Sequence, residues 1–179
     1  LVAVALDLEV DPSGGTLRGR VTNTLRLVGE AQAIRLDAVG LEVRGVSISG
    51  GRLEPQAAYE VSGQDLWVRP KGRLESGKEY QVTVDYSVRT PKRGLYFTGP
   101  TRHYPKKPVQ VWTQGEDEDN RYWFPTLDHP SQRAKLEVRV RVPKGFFALS
   151  NGALIEKKTL GEQEYFHYRL EVPVVTYLT

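Results

Sequence analysis

Four consecutive acids, Glu116, Asp117, Glu118 and Asp119, carry the densest chemistry in the chain, and Arg121, Tyr122, Trp123 and Phe124 follow them closely. They lie within Thr113–Leu136, TQGEDEDNRYWFPTLDHPSQRAKL, which Pro125 and Pro130 punctuate. Crowded carboxylates create a negative field that a cation seeks, either a metal ion or an organic ammonium. A calcium loop needs oxygen ligands at alternate positions and a glycine for its turn. Asp117 and Asp119 begin that spacing, but Arg121 stands where the next ligand belongs and no glycine follows. That leaves a solvated acidic rim or an ammonium pocket. The aromatics mark an ordered loop, because disordered segments are poor in them.

Other chemistries find little footing. His103, His129 and His167 are spaced by 26 and 38 residues, with no His-Glu-x-x-His helix to bind zinc, so no metal site is expected within this chain. Cysteine is absent, no Gly-x-Ser-x-Gly elbow presents a nucleophile, and no glycine-rich loop opens a helix to hold phosphate. Arg18, Arg20, Arg26, Arg35, Arg44, Lys106 and Lys107 read as solvated faces, and the net charge is only +3. Aromatics beside basic residues can stack on bases, but these aromatics adjoin acids that repel phosphates, so no nucleic-acid partner is expected.

The elements that must carry the acidic stretch are strands. Val2, Val4, Leu6, Leu8 and Val10 alternate with polar residues, and Leu17–Leu27 repeats the pattern after the turn Asp11–Gly15. Ile34–Ala38 reads as extended. Leu41–Ser49 changes phase at Gly45, the mark of a β-bulge. Ala57–Ser62 and Leu66–Arg69 read as a hairpin, and Tyr80–Val88 is the clearest strand. Gly94–Phe97, Val109–Trp112, Leu136–Val142, Phe147–Leu149, Leu154–Lys157 and Tyr165–Val172 complete the set. At most one helical turn is expected, over Pro130–Ala134. The fold class is all-β, an antiparallel β-sandwich or saddle-shaped sheet with little or no helix. At 179 residues the chain is expected to form a single domain, 1–179. No apolar run is long enough for a membrane span. The compartment is open, with a soluble, cytoplasmic protein slightly favoured.

The run Thr113-Gln114-x-Glu116, Arg121 five residues later, then Phe124-Pro125-x-x-Asp128-x-Pro130 and a strand from Lys135 resembles the amino-terminal β domain of the aminopeptidase N family of zinc metallopeptidases. Gly94-Leu95-Tyr96 is similar to an upstream block of that family. Pro173–Leu178 is similar to the strand leading into its catalytic domain.

The resemblance implies a non-catalytic domain, with the zinc site, a His-Glu-x-x-His helix and a Gly-x-Met-Glu-Asn segment in a domain expected after residue 179. None of these motifs occurs here, so no cofactor is implied for this stretch, and zinc is implied for the parent. It implies that Gln114, Gly115 and Glu116 meet a peptide substrate at the active-site edge, Glu116 taking the free α-ammonium and Gln114 lining the first side chain's pocket. Arg121, Phe124, Pro125, Asp128 and Pro130 would support the loop. Gly115 replaces a larger residue and could widen the pocket or loosen the loop. Asp117, Glu118 and Asp119 are extra acids to which the resemblance gives no role. The implied partners are the catalytic domain of the same chain and peptides with a free amino terminus. A catalytically dead relative acting as a protein scaffold is the alternative. A sandwich binding glycans through Trp67, Trp112 or Trp123 is a third reading.

Overall fold

The computed structural model describes residues 1–179 and consists of strands, turns and two single 3-10 turns. In chain order the strands are β1 (Ala3–Asp11), β2 (Thr16–Arg26), β3 (Ile34–Asp37), β4 (Glu42–Ser49), β5 (Ala57–Ser62) and β6 (Asp65–Pro70). They continue with β7 (Glu79–Arg89), β8 (Gly94–Thr98), β9 (Gln110–Gln114), β10 (Arg133–Pro143), β11 (Ala153–Leu160) and β12 (Gln163–Val175). A seven-stranded sheet runs β11-β12-β10-β1-β2-β7-β4, a three-stranded sheet β3-β6-β5, and β8 pairs with β9 alone. This is the expected all-β sandwich. Every pairing is antiparallel except that of β1 with β10. β2 closes one edge of β1 by a tight turn, and β10 returns over a long connection to the other edge, as a parallel pair requires.

Alternation decides which side of the large sheet is dry. Leu6 lies opposite Val21 on one side and Val138 on the other, and Val21 faces Val84. This layer joins Ile34, Leu36, Leu66 and Val68 of the small sheet in one cluster of 30 buried residues. Each such aliphatic side chain contributes roughly 1.5–3 kcal/mol by leaving water. The opposite parity faces outward as a ladder of polar pairs. Thr22 bonds Thr83 at 2.8 Å, Arg20 meets Asp85 at 2.7 Å and Arg141 meets Asp7 at 2.6 Å. Glu137 sits among Arg139, Arg169 and His167. Burial pushes its carboxyl up, but hydrogen bonds from Arg169 and His167 and the Arg139 charge outweigh that and hold it below the usual range.

Gly45 marks a bulge as its sequence position predicts. Val43 pairs with Tyr86 and Gly45 with Asp85, so Arg44 is the extra residue. Three local expectations change. Pro130–Ala134 forms a single hydrogen-bonded turn, Gln132 N–H to the His129 carbonyl at 2.8 Å, and not a helical one, because Arg133 already pairs with Val175 in the sheet. The helical turns fall instead at Asn120–Tyr122 and Thr176–Leu178. Phe147–Leu149 is not a strand; no ladder partner reaches it, and Tyr168 Oη bonds the Ala148 carbonyl at 2.9 Å. His167 keeps its place on the polar face, yet it is only 8% exposed, with Glu137 at 2.7 Å.

Candidate functional site

The acidic stretch leaves β9 at Gln114 and is moored to the core before it reaches β10. Asp119 N–H bonds the Gly115 carbonyl at 2.9 Å, closing the acidic turn. Trp123 and Phe124 donate their N–H groups to the Asn120 carbonyl at 2.9 and 3.0 Å. Both rings are buried and pack edge to face, 4.4 Å apart. Beyond them Asn23 of β2 takes hold of the chain. Its Nδ2 donates to the Pro125 carbonyl at 3.0 Å, and Thr126 Oγ1 donates to its Oδ1 at 2.8 Å. Thr126 and Asp37 exchange backbone hydrogen bonds of 2.7 and 3.1 Å. Sequence reasoning missed Asn23, Asp37 and Asn120 as supports. Asn23 did leave a signal, a polar residue on the apolar parity of β2.

Arg121 knits the loop together. Its Nη2 donates to Glu118 Oε2 at 2.7 Å and to the Asp128 carbonyl at 2.5 Å. Its backbone N–H and Nε both donate to Asp128 Oδ2, at 2.9 and 3.3 Å. Asp37 Oδ1 lies 3.9 Å from Nη1 and 3.2 Å from Arg35, and Asp37 Oδ2 accepts from Asp128 N–H at 2.9 Å. Burial works against the Arg121 charge, but Asp37, Asp128 and Glu118 outweigh it and raise its pKa. Asp128 moves the other way in stability. Burial pushes its carboxyl up, and the Arg121 bonds offset this only in part. Its Oδ1 is buried without a hydrogen-bond partner, a physical reason for the imbalance. Pro125 is buried, and Pro130 is exposed in the turn before β10.

The rim above this support divides the acids into two kinds. Glu118 is tied to Arg121, and Asp119 lies 3.6 Å from Arg93. Two of the extra acids therefore have structural partners. Glu116 and Asp117 are exposed and enter no ion pair or side-chain hydrogen bond through their carboxylates. Glu116 N–H donates to Gln114 Oε1 at 3.2 Å, which fixes the backbone under the carboxylate. Glu116 and Asp117 open into a polar concavity shared with Gln64, Tyr122 and His129. Gly115 is buried, and a Cβ there would lie 2.6 Å from Asn120 Oδ1 and 2.8 Å from the Tyr177 carbonyl. The absence of a side chain lets residue 115 sit directly against Asn120 and the turn at Tyr177.

No three histidine, cysteine or carboxylate side chains gather as metal donors. His103, His129 and His167 stay apart, and His129 Nδ1 is engaged by Ser131. The donor set does not fit zinc. Trp123 is 3% exposed and bonds Asn120 Oδ1, so it is closed to a glycan, while Trp112 stacks on Tyr96 at 4.4 Å. No helix is long and apolar enough to cross a membrane.

Fold and loop together define an all-β sandwich that carries a moored, acidic rim. The family model of the peptidase M1 N-terminal domain matches residues 3–178, and the chain belongs to that family. Human aminopeptidase B is 28% identical over 173 residues, 97% of this chain and 26% of that protein. The tricorn protease-interacting factor F2 of Thermoplasma acidophilum is 30% identical over 127 residues, 71% of this chain and 15% of that protein. Chicken transcription initiation factor TFIID subunit 2 is 29% identical over 113 residues, 61% of this chain and 9% of that protein. The crystal structure of an M1 zinc metallopeptidase from Deinococcus radiodurans superposes with a TM-score of 0.83 at 23% identity. That match covers 99% of this chain and 40% of the other. The chain thus spans well under half the length of these relatives.

Proposed function

We propose that residues 1–179 form one non-catalytic β domain of a zinc aminopeptidase, whose loop 113–121 lies at the edge of the active site and receives the substrate's free amino terminus. The observation that carries this reading is the division among the acids. Glu118 and Asp119 are held by arginines, while Glu116, with its backbone fixed by Gln114, keeps its carboxylate free. A carboxylate at the mouth of a polar concavity distinguishes an ammonium from an internal amide, because only the former offers a charge-assisted hydrogen bond. Gln114, on the outward side of β9, would line the pocket of the first side chain.

Zinc would be held by a following domain and would supply Lewis-acid activation of the scissile carbonyl and of water. The residues of this chain bind and orient. Membership of the family and the aminopeptidase named among the relatives support the assignment. The test is Glu116→Ala in the complete enzyme. The Michaelis constant for peptides with a free amino terminus should rise, or turnover fall, by about 10-fold, the value of one charge-assisted bond. Unchanged kinetics would remove Glu116 from the site.

A second reading follows from the similarity to TFIID subunit 2. The same domain would then serve a parent without peptidase activity, as a protein-interaction scaffold. Assaying the complete protein for zinc content and for release of amino-terminal residues separates the two readings.

A further inference from the structure

We propose that Asn120 is a positioning residue for Glu116, a clamp that sets the acidic loop against the turn at the carboxyl end of the chain. This rests on the reading of Glu116 as the partner of an ammonium group. Asn120 is fully buried and faces two different demands. Its Nδ2 donates to the Thr176 carbonyl at 2.5 Å, and its Oδ1 accepts from Trp123 Nε1 at 3.0 Å. A site that asks for a donor on one side and an acceptor on the other is met by a carboxamide. Aspartate supplies acceptors alone, and alanine supplies neither.

The Thr176 carbonyl is a junction. It also accepts from Thr179 N–H at 3.1 Å and from Thr179 Oγ1 at 2.8 Å, so the Asn120 amide holds the whole 3-10 turn Thr176–Leu178. The loop touches that turn a second time at Gly115. The missing Cβ of Gly115 would collide with both Asn120 Oδ1 and the Tyr177 carbonyl. Gly115 immediately precedes Glu116, and its carbonyl accepts from Asp119 N–H, so residues 115–120 form a closed turn seated on residues 176–177. Shifting that seat moves the backbone of Glu116, which is bonded directly to Gly115, and its carboxylate with it. Errors of about 1 Å in such placement can cost as much as ~100-fold in rate.

The experiment uses the complete enzyme and the ratio of inhibition constants for an amino-acid amide and its des-amino analogue. This ratio measures recognition of the ammonium alone. Glu116→Gln should reduce it by about 10-fold. Asn120→Ala and Asn120→Asp should each reduce it by about 5-fold or more, although Asn120 does not reach the substrate. Gly115→Ala, which wedges the same contact from the other side, should act in the same direction. In a Glu116→Gln background the Asn120 substitutions should have no further effect on the ratio, since they act through that carboxylate.

Trp123→Phe is the control, because it removes the indole partner of Asn120 and lowers stability while leaving the Thr176 bond in place. A ratio unchanged by Glu116→Gln overturns the functional reading itself. A ratio lowered by Glu116→Gln but untouched by the Asn120 variants overturns the clamp alone. So does an equal loss in Trp123→Phe. If every Asn120 and Gly115 variant is unfolded at the assay temperature, the contact is a determinant of the fold and the inference also fails.

Discussion

Asn23 and Thr126 lie 103 residues apart in sequence and meet in the buried core through a hydrogen bond of 2.8 Å. With the companion bond from Asn23 Nδ2 to the Pro125 carbonyl, a central strand of the large sheet holds the loop from beneath. Side-chain identity at one inward position of β2 thus sets where the acidic rim stands.

Replacing Asn23 with leucine should therefore be costly even though the site is dry. Pro125 and Thr126 would each lose a buried partner at about 1–3 kcal/mol apiece. A loss of about 2–6 kcal/mol in urea unfolding is expected, together with faster hydrogen exchange over residues 123–128. Wild-type stability in Asn23→Leu would show that Asn23 does not moor the loop.

Asp128→Asn should display an inverted pH dependence. Burial raises the folded-state pKa of Asp128, so its titration contributes stability that is present at acid pH and lost as pH rises through the folded value. The amide keeps an acceptor for Arg121 but has no proton to gain. The variant has no such loss, so any deficit against wild type should be largest in acid, and the gap should shrink or reverse sign toward about pH 7. A gap that widens with pH would mean that the Arg121 pair, and not burial, governs this carboxyl.

Glu137→Gln should behave in the opposite way. The cations around Glu137 lower its folded-state pKa, so its contribution is present above the unfolded value and disappears as pH falls through the folded one. About 1 kcal/mol should be lost near neutrality, with wild type and variant converging in acid. Thermal melts across the same pH range as for Asp128→Asn provide the contrast, and parallel curves for the two variants would overturn one of the two assignments, the direction of the shared trend showing which.

Much of the sheet was legible because a period of two reports which face a residue occupies. Tyr80–Val88 and Leu136–Val142 lie within β7 and β10, and the phase slip at Gly45 falls at the bulge. A period of two says nothing about partners. The parallel register of β1 with β10 depends on which edge of β1 is already taken, a fact of topology. Phe147–Leu149 has the composition of a strand and lacks one because no ladder is available to it. At the loop, the motif residues were visible as a group, whereas Asn120 and Asp37 act through partners distant in sequence. Asn23 alone betrayed itself, by being polar where its strand is apolar.

The placement of β10 beside β1 also governs the order in which the molecule is made. β2 follows β1 after a short turn and can take one edge of it early, whereas the partner of its other edge begins only at Arg133. For that interval a nascent chain presents an apolar strand with unsatisfied backbone groups, the kind of edge that recruits other chains. Closing it joins residues more than 100 positions apart, as Ala3 with Lys135, a long search by the standards of small proteins. The hazard of misassembly is therefore concentrated in the time between the first strand and the tenth.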